Sequence, residues 1–196
     1  DNQVIQFSFH HLLSNNLTFS DEIMEEGQKK IKNFTSYLKL LDSKKIILDQ
    51  NLRKQLIVKQ IDKVCRARKL KKKLNEKLLD EVVDLVEKPN VLLGKFDKSF
   101  LNIPKEILIT SMQQHQKYFP LFNQEDNLTN FFIIVTNLED KKGLVKIGNE
   151  RVISARLSDA KFFWEKNKAQ SLVKQVGNLK SINFFSKLGT MFHKVQ

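Results

Sequence analysis

The sequence predicts an α+β fold with a mixed or antiparallel sheet and packed helices. Helical and strand-like hydrophobic patterns follow one another in the order β, α, (β), α, α, β, α, β, β, α, and no internal repeat or Gly/Ser linker interrupts them. With 41% hydrophobic residues, the 196 residues are enough to bury one real core and to begin a second domain.

The N-terminal segment predicts one strand and one helix. Apolar and polar residues alternate from Val4 to Phe9, which is typical of a strand. Ser20 can cap a helix because its hydroxyl accepts hydrogen bonds from first-turn amides. The acidic residues after Ser20 would lie at the positive end of the helix dipole, where negative charge is stabilising. We expect this helix to reach about Tyr37.

The middle of the chain predicts a short strand at 45–48, followed by helical periodicity. Ile57, Ile61 and Cys65 recur at helical spacing beside a cationic face, and the same period continues from Leu70 to Leu85. Pro89 disfavours helix at the residue before it and supplies no amide hydrogen, so we expect the helix to end there and an extended run, 90–96, to follow.

The remaining elements are predicted from proline positions and from strand-like runs. Pro104 fits the first turn of a helix whose broad face continues to His115. We expect these further elements, in chain order: a hairpin of strands 118–122 and 131–136, a long helix from Gly143 to about 164–168, an extended run at 182–185, and a helix that begins after Gly189. The domains expected are an α+β domain at 1–168, then a connector and the first part of a truncated helical domain at 169–196.

Positive charge is concentrated in one segment. The formal net charge is +12, and the segment Lys44 to Lys77 holds thirteen Lys or Arg against three Asp or Glu. A concentrated cationic surface attracts polyanions by releasing counterions, which indicates an RNA partner. The alternative is that these lysines simply solvate exposed helix faces. The cations expected to contact RNA are Lys63, Arg66, Arg68, Lys69, Lys71, Lys72 and Lys73.

Other features of the composition limit the cellular compartments in which the protein is expected. The single Cys65 forbids an intramolecular disulfide and leaves no cysteine cluster for a structural zinc, so a reducing cytoplasmic setting is expected. No apolar run approaches the length of a membrane span, and no membrane partner is expected. The sequence begins without methionine and stops within a predicted helix, so we expect a piece of a longer protein.

Three motifs carry a resemblance to a known family. They are Val91-Leu92-Leu93-Gly94-Lys95-Phe96-Asp97, Ile109-Thr110-Ser111-Met112-Gln113-Gln114-His115-Gln116-Lys117-Tyr118-Phe119-Pro120, and the run from Gly148 to Trp164. In this order they resemble signatures of the β subunit of bacterial two-subunit glycyl-tRNA synthetase. The resemblance is dense from about Leu78 onward.

The resemblance implies a role within an aminoacylating complex. In such enzymes the α subunit activates glycine with ATP and Mg²⁺, and the β subunit recognises tRNA. The expected partners are therefore an α subunit and tRNA(Gly), in an α2β2 heterotetramer. No cofactor and no catalytic residue is expected in this segment, which has no glycine-rich phosphate loop. The resemblance also implies an editing-module-like fold, followed by the start of an HD-like helical region.

His115 leaves a catalytic alternative open. Ser111 lies one helical turn earlier and Tyr118 lies nearby, so acid–base or nucleophilic chemistry, as in an editing-like hydrolase, is one interpretation. The other is a buried, hydrogen-bonded histidine at a helix end. A metal site that joins His115 to His10 and His11 is disfavoured, because no recognisable ligand spacing surrounds them.

The motif from Gly148 to Trp164 also has two interpretations. In the structural one, favoured here, a stripe through Val152, Ala155, Asp159, Phe162 and Phe163 is buried and Arg156 pairs with Asp159. In the functional one, Arg151 and Arg156 contact phosphate or a partner carboxylate. The motif residues given a structural or interface role are His115, Gln116, Tyr118, Asn149, Glu150, Arg151, Arg156 and Asp159.

Three functions are therefore weighed. The leading one is a tRNA-binding and assembly module of glycine–tRNA ligase. The others are an editing-like hydrolase and a general basic RNA-binding domain without a synthetase role.

Overall fold

A computed structural model describes residues 4–21, 26–169, 171–185 and 188–195, and it confirms the α+β class. Its centre is a four-stranded antiparallel sheet in the order β5-β7-β8-β6. These strands are β5 (Lys71–Lys72), β6 (Asn90–Lys95), β7 (Phe119–Phe122) and β8 (Leu128–Thr136). The predicted extended run after Pro89 and the predicted hairpin are both present, as β6 and as β7 with β8.

Helices cover both faces of this sheet. They are α2 (Gln50–Arg68), α3 (Glu76–Leu85), α4 (Lys105–Thr110) and the long α5 (Leu144–Ala169), and helix α1 (Phe34–Ser43) precedes them in the chain. A 3-10 helix, Lys98–Asn102, precedes α4, and a π-helical turn, Ser111–His115, follows it. The long helix predicted after Gly143 is confirmed.

Strand alternation divides the interior into two cores. On β8, Ile133 faces one core while Phe132 and Ile134 face the other, because successive side chains of a strand point to opposite faces. The α2–α3 core contains Ile57, Ile61, Cys65, Leu78, Leu79, Val82, Val83, Val86, Phe119, Leu121 and Ile133. The α5 core contains Phe96, Ile103, Leu108, Met112, Tyr118, Phe132, Ile134, Ile153 and Leu157.

The helix predicted from Ser20 is wrong. The chain instead forms two antiparallel hairpins, β1 (Ser8–Phe9) with β2 (Leu12–Leu13) and β3 (Leu17–Asp21) with β4 (Glu26–Lys30). Gly27 lies in the paired segment and would cost about 1 kcal/mol in a helix interior. The strand predicted at 4–9 is reduced to β1.

Helix α1 begins later, at a stronger cap. Asn33 Oδ1 accepts the Ser36 amide at 2.8 Å, and the Ser36 hydroxyl oxygen accepts the Asn33 amide at 3.0 Å, which completes a capping box. Two first-turn amides are thereby satisfied. The helix start is fixed by this reciprocal pair and not by Ser20.

The strand predicted at 45–48 is also wrong. The Arg53 guanidinium donates to the carbonyl oxygens of Ile47 at 2.8 Å and Leu48 at 2.9 Å. A side chain therefore satisfies carbonyls that a neighbouring strand would otherwise bind. Lys45 has a φ of 59°, which further separates this segment from strand geometry.

The helical period predicted to continue from Leu70 is interrupted. Lys69 adopts the left-handed conformation, with φ 53°, and its amide and that of Leu70 turn back to the last helical carbonyls, so α2 ends there. A new helix, α3, starts where Asn75 Oδ1 accepts the Leu78 amide at 3.2 Å. Leu70 and Leu74 lie in the connection that contains β5.

The C-terminal segment consists of short elements. They are α6 (Leu172–Val176), a 3-10 helix (Gly177–Ser181), β9 (Asn183–Phe185), β10 (Gly189–Thr190) and α7 (Met191–Val195). The extended run predicted at 182–185 and the helix predicted after Gly189 are both found. Strands β9 and β10 pair antiparallel with each other.

Candidate nucleic-acid interface

Positive side chains gather where α2 ends and the chain turns into β5. Arg66 and Arg68 are exposed in the last turn of α2, where positive charge complements the negative end of the helix dipole. The reversal at Lys69 then brings Lys71 and Lys72 into strand β5, which pairs with β7 at one edge of the sheet. We call this the basic surface; its members are Lys63, Arg66, Arg68, Lys69, Lys71, Lys72 and Lys73.

The turn between β7 and β8 docks against the basic surface. Gln124 Nε2 donates to the Lys69 carbonyl oxygen at 2.7 Å, and Lys71 Nζ donates to the Gln124 carbonyl oxygen at 2.7 Å. Asn123 Oδ1 holds the turn by accepting the amides of Glu125 at 3.0 Å and Asn127 at 2.9 Å. The basic surface and this turn therefore form one hydrogen-bonded unit.

Three lysines of the basic surface are ion-paired. Lys72 Nζ lies 2.6 Å from an Asp62 carboxylate oxygen, while Lys71 and Lys73 lie 3.4 Å and 3.7 Å from the same oxygen of Asp126. Lys73 also lies over the Phe122 ring, with its Nζ 4.7 Å from the ring centroid. These carboxylates offset part of the positive charge that the sequence places here.

The other four cations of the surface keep their charge uncompensated. Across the described residues, Lys63, Arg66, Arg68 and Lys69 make no ion pair, and all four are exposed. Arg66 and Lys69 border a groove of about 630 Å³ that also reaches Asp62 and Asp126. Cys65 lies at its floor, where burial raises the pKa of the thiol, so it carries no thiolate charge into the groove.

The three sequence motifs meet on the opposite face of the sheet, around the α5 core. Gly94 pairs with Phe132 across the β6–β8 ladder, and a Cβ atom at Gly94 would lie 2.5 Å from Phe132 Cζ. Only glycine leaves room for that ring, which stacks on the Tyr118 ring with centroids 4.9 Å apart. The glycine of the first motif is thus explained by the packing of Phe132.

Asn149 and Glu150 attach α5 to the sheet. Asn149 Oδ1 accepts from the Tyr118 hydroxyl at 2.5 Å, and Asn149 Nδ2 donates to the Val145 carbonyl at 2.7 Å. Glu150 Oε1 accepts the backbone amide of Lys95 at 2.9 Å, at the end of edge strand β6. Both side chains therefore lie within α5 and position it. The start of α5 is capped instead by Asp140, whose carboxylate accepts the amides of 145 and 146.

The expected buried histidine is not found. His115 is exposed at the end of the π-helical turn, and within the described ranges it makes no hydrogen bond to Ser111 or Tyr118. Burial raises the pKa of Tyr118 to about 12, so its hydroxyl stays protonated and bound to Asn149. These three side chains do not form a nucleophile with a base. Gln116 is half-buried and borders a cleft of about 270 Å³ beside Tyr118 and Asn149.

The buried stripe expected on α5 is wrong. Val152, Phe162 and Phe163 are 43%, 59% and 58% exposed, and Ala155 and Asp159 are also exposed. The helix buries Ile153 and Leu157 instead, because the hydrogen bonds of Asn149 and Glu150 rotate that side toward the sheet. Among the described residues Arg151, Arg156 and Asp159 form no ion pair, so the expected pairing of Arg156 with Asp159 is absent.

Several residues of the interface were missed from the sequence. Asp62 and Asp126 are far apart in the chain, and no local pattern brings them to the lysines that they pair with. Asn123 was the one available signal, since Asn-rich polar turns often bond their own backbone.

No group of three His, Cys, Asp or Glu side chains in the described ranges is arranged to hold a metal ion. None of the helices described is long and apolar enough to span a bilayer.

Comparison with known proteins places this geometry in context. A family model described as glycyl-tRNA synthetase beta subunit matches residues 1–196. The chain is 38% identical to the glycine–tRNA ligase beta subunit of Rickettsia felis over 199 residues, which cover 100% of this chain and 30% of that protein. It is 38% identical to the same subunit of Syntrophomonas wolfei over 192 residues and 35% to that of Clostridioides difficile over 194, each match covering 28% of the relative.

Proposed function

This chain belongs to the family of glycyl-tRNA synthetase β subunits, and on that premise we propose that it serves tRNA recognition and subunit assembly in a glycine–tRNA ligase. The chain spans about 30% of the length of the curated relatives it matches. In this proposal a separate α subunit carries the glycine-activating site and uses ATP with Mg²⁺. The complex is a cytoplasmic α2β2 heterotetramer that charges tRNA(Gly).

The observation that carries the RNA-binding part is the set of uncompensated cations at the end of α2. Lys63, Arg66, Arg68 and Lys69 are exposed and make no ion pair in the described part of the chain. Arg66 and Lys69 border an open groove, so a phosphate backbone can approach them without displacing a carboxylate. Such contacts supply affinity and orientation and do not read base sequence.

The observation that supports a role in assembly is the outer side of α5. Val152, Arg156 and Phe163 lie along one side of the helix at spacings of four and seven, and all three are exposed. The Phe162 and Phe163 rings contact each other edge to face, with centroids 5.4 Å apart. Exposed aromatic residues beside an unpaired arginine are typical of protein interfaces. We propose that this side of α5 contacts another part of the synthetase.

We further propose that residues 1–168 form the α+β unit and that 169–196 begin the region that follows it. The elements described between 171 and 195 pair and pack mainly with one another, as the β9–β10 hairpin and the neighbouring short helices illustrate. A chain from which residues 169–196 are deleted should therefore keep Trp164 packed against the α5 core.

The RNA-binding proposal is tested by removing two charges at two places. Arg66→Gln with Lys69→Gln removes two uncompensated cations, and Lys98→Gln with Lys105→Gln removes two exposed lysines near the α5 core. In the complete subunit, the first pair should weaken binding of a tRNA(Gly) transcript and reduce the log–log salt slope by about 1.4–1.8, since each phosphate contact contributes about 0.7–0.9. Equal slopes for both variants would contradict the proposal.

A further inference from the structure

We propose that Asp126 and Asp62 limit the affinity of the basic surface for RNA by occupying lysines that would otherwise contact phosphates. This inference rests on the proposed function, because it assumes that the basic surface binds RNA. Asp126 and Asp62 would set how strongly the basic surface binds RNA. Both are acidic, and both lie outside the three sequence motifs.

Asp126 is placed to neutralise two lysines at once. Its Oδ1 lies 3.4 Å from Lys71 Nζ and 3.7 Å from Lys73 Nζ, and it projects from the turn that is hydrogen-bonded to the Lys69 carbonyl. The carboxylate is thus held against the surface by the backbone of the turn. A phosphate that binds either lysine must compete with it.

Asp62 pairs with the third lysine, Lys72. Its carboxylate lies on α2, 2.6 Å from Lys72 Nζ, and both carboxylates border the groove that Arg66 and Lys69 also border. The groove therefore presents two kinds of cation. Arg66 and Lys69 are free of ion pairs among the described residues, whereas Lys71 and Lys72 are already bound to protein carboxylates. Only the free cations can take a phosphate without breaking an existing contact.

Physical reasoning predicts that removal of either carboxylate strengthens RNA binding. The carboxylate of Asp126 is exposed, and the Lys72–Asp62 pair is half-buried at the surface. Ion pairs at a protein surface are individually weak, so losing one leaves the fold intact while it frees a cation. Each freed lysine that engages a phosphate releases one further counterion and steepens the salt dependence.

Asp126→Asn is the decisive variant. Asp126 has a φ of 63°, and asparagine tolerates the left-handed conformation as well as aspartate does, so the turn is retained. Glu125→Gln is the matched control: it removes the same charge from the same turn, but Glu125 accepts only from Asn127 Nδ2, at 3.4 Å, and binds no lysine of the described chain. A general effect of net charge would appear equally in both variants.

The experiment measures binding of a tRNA(Gly) transcript and of poly(U) to the complete subunit over a range of salt concentrations. Asp126→Asn should tighten binding of both RNAs about 2- to 5-fold at low salt, which is the change in affinity expected from the free energy of one exposed ion pair. It should also steepen the log–log slope by about 0.7–1.8, for one or two new phosphate contacts. Asp62→Asn should act in the same direction, by a single contact.

The outcomes separate the inference from the proposed function. If Arg66→Gln with Lys69→Gln weakens binding and Asp126→Asn matches Glu125→Gln, the surface binds RNA but the carboxylates do not limit it, and the inference is overturned. If the salt slope is unchanged in Arg66→Gln with Lys69→Gln, and also in Asp126→Asn and Asp62→Asn, the basic surface does not bind RNA. The proposed function and the inference then both fail. Tightening by Asp126→Asn and Asp62→Asn alone, without Glu125→Gln, supports the inference.

Discussion

The Tyr118 hydroxyl donates a hydrogen bond to Asn149 Oδ1 at 2.5 Å, and this bond links the start of β7 to helix α5. It joins two of the three sequence motifs inside the α5 core. The sequence motifs contain both residues, and the contact gives each of them a structural role in this chain. We expect Tyr118 and Asn149 to hold α5 against the sheet.

Tyr118→Phe should lower the free energy of unfolding of this chain by about 1–3 kcal/mol, because Asn149 Oδ1 is left without its donor in a part-buried position. Urea unfolding followed by the fluorescence of Trp164, the chain's single tryptophan, measures this. Tyr37→Phe is the control, since among the residues described the Tyr37 hydroxyl has no hydrogen-bond partner. Equal midpoints for the two variants would contradict the prediction.

Tyr118 should also make stability fall at high pH. Burial raises its pKa from 10.0 to about 12, so the folded state holds the phenolic proton where the unfolded chain has lost it. The resulting stabilisation is fully present below pH 10 and is lost as pH rises from about 10 toward 12, by up to about 1.4 kcal/mol per pKa unit. The free energies of unfolding of the wild-type and Tyr118→Phe chains should therefore converge across this window. If the two free energies instead run parallel with pH, Tyr118 does not titrate there.

Gly94→Ala and Gly148→Ala should have opposite effects on stability. A Cβ at Gly94 meets Phe132 Cζ at 2.5 Å inside the core, and such overpacking costs about 1–3 kcal/mol. A Cβ at Gly148 meets nothing within 4 Å on helix α5, where alanine is favoured over glycine by about 0.5–1 kcal/mol. Thermal unfolding of the two variants measures the difference. Destabilisation by both changes would show that Gly148 has a packing role that its surroundings do not indicate.

Arg156→Ala should leave the stability of this chain within about 0.5 kcal/mol of wild type, because the side chain is exposed and makes no ion pair among the residues described. If the outer side of α5 is an interface, the same change, and Phe163→Ala, should weaken association of the complete β subunit with the α subunit. Sedimentation of the mixed subunits measures this. Lys161→Ala, on the opposite flank of α5, should associate normally.

If Arg156→Ala assembles like wild type but binds the tRNA(Gly) transcript with a reduced salt slope, Arg156 contacts RNA and the assembly role is wrong. A drop in the melting temperature of this chain would instead restore the structural interpretation of Arg156. The two measurements therefore separate the three roles that the motif left open.

The sequence by itself determined those elements whose signals are local. Pro89 marked the start of β6, the polar turn after Phe122 marked the hairpin, and helical periodicity marked α2. Each signal acts within a few residues through backbone geometry or through the period of the element. The three motifs likewise identified the family from residue identity alone.

Only the tertiary structure decided which side of α5 is buried, and which cations of the described residues form no ion pair. Both sides of α5 carry apolar residues, Val152 and Phe163 on one side and Ile153 and Leu157 on the other. The hydrogen bonds of Asn149 to Tyr118 and of Glu150 to strand β6 hold the helix against a sheet assembled from distant strands, and Ile153 and Leu157 are the residues that become buried. Similarly, Lys71 and Lys73 differ from Arg66 and Lys69 because the β7–β8 turn delivers the Asp126 carboxylate to them from more than fifty positions away. Such pairings depend on three-dimensional proximity, which a local sequence pattern does not encode.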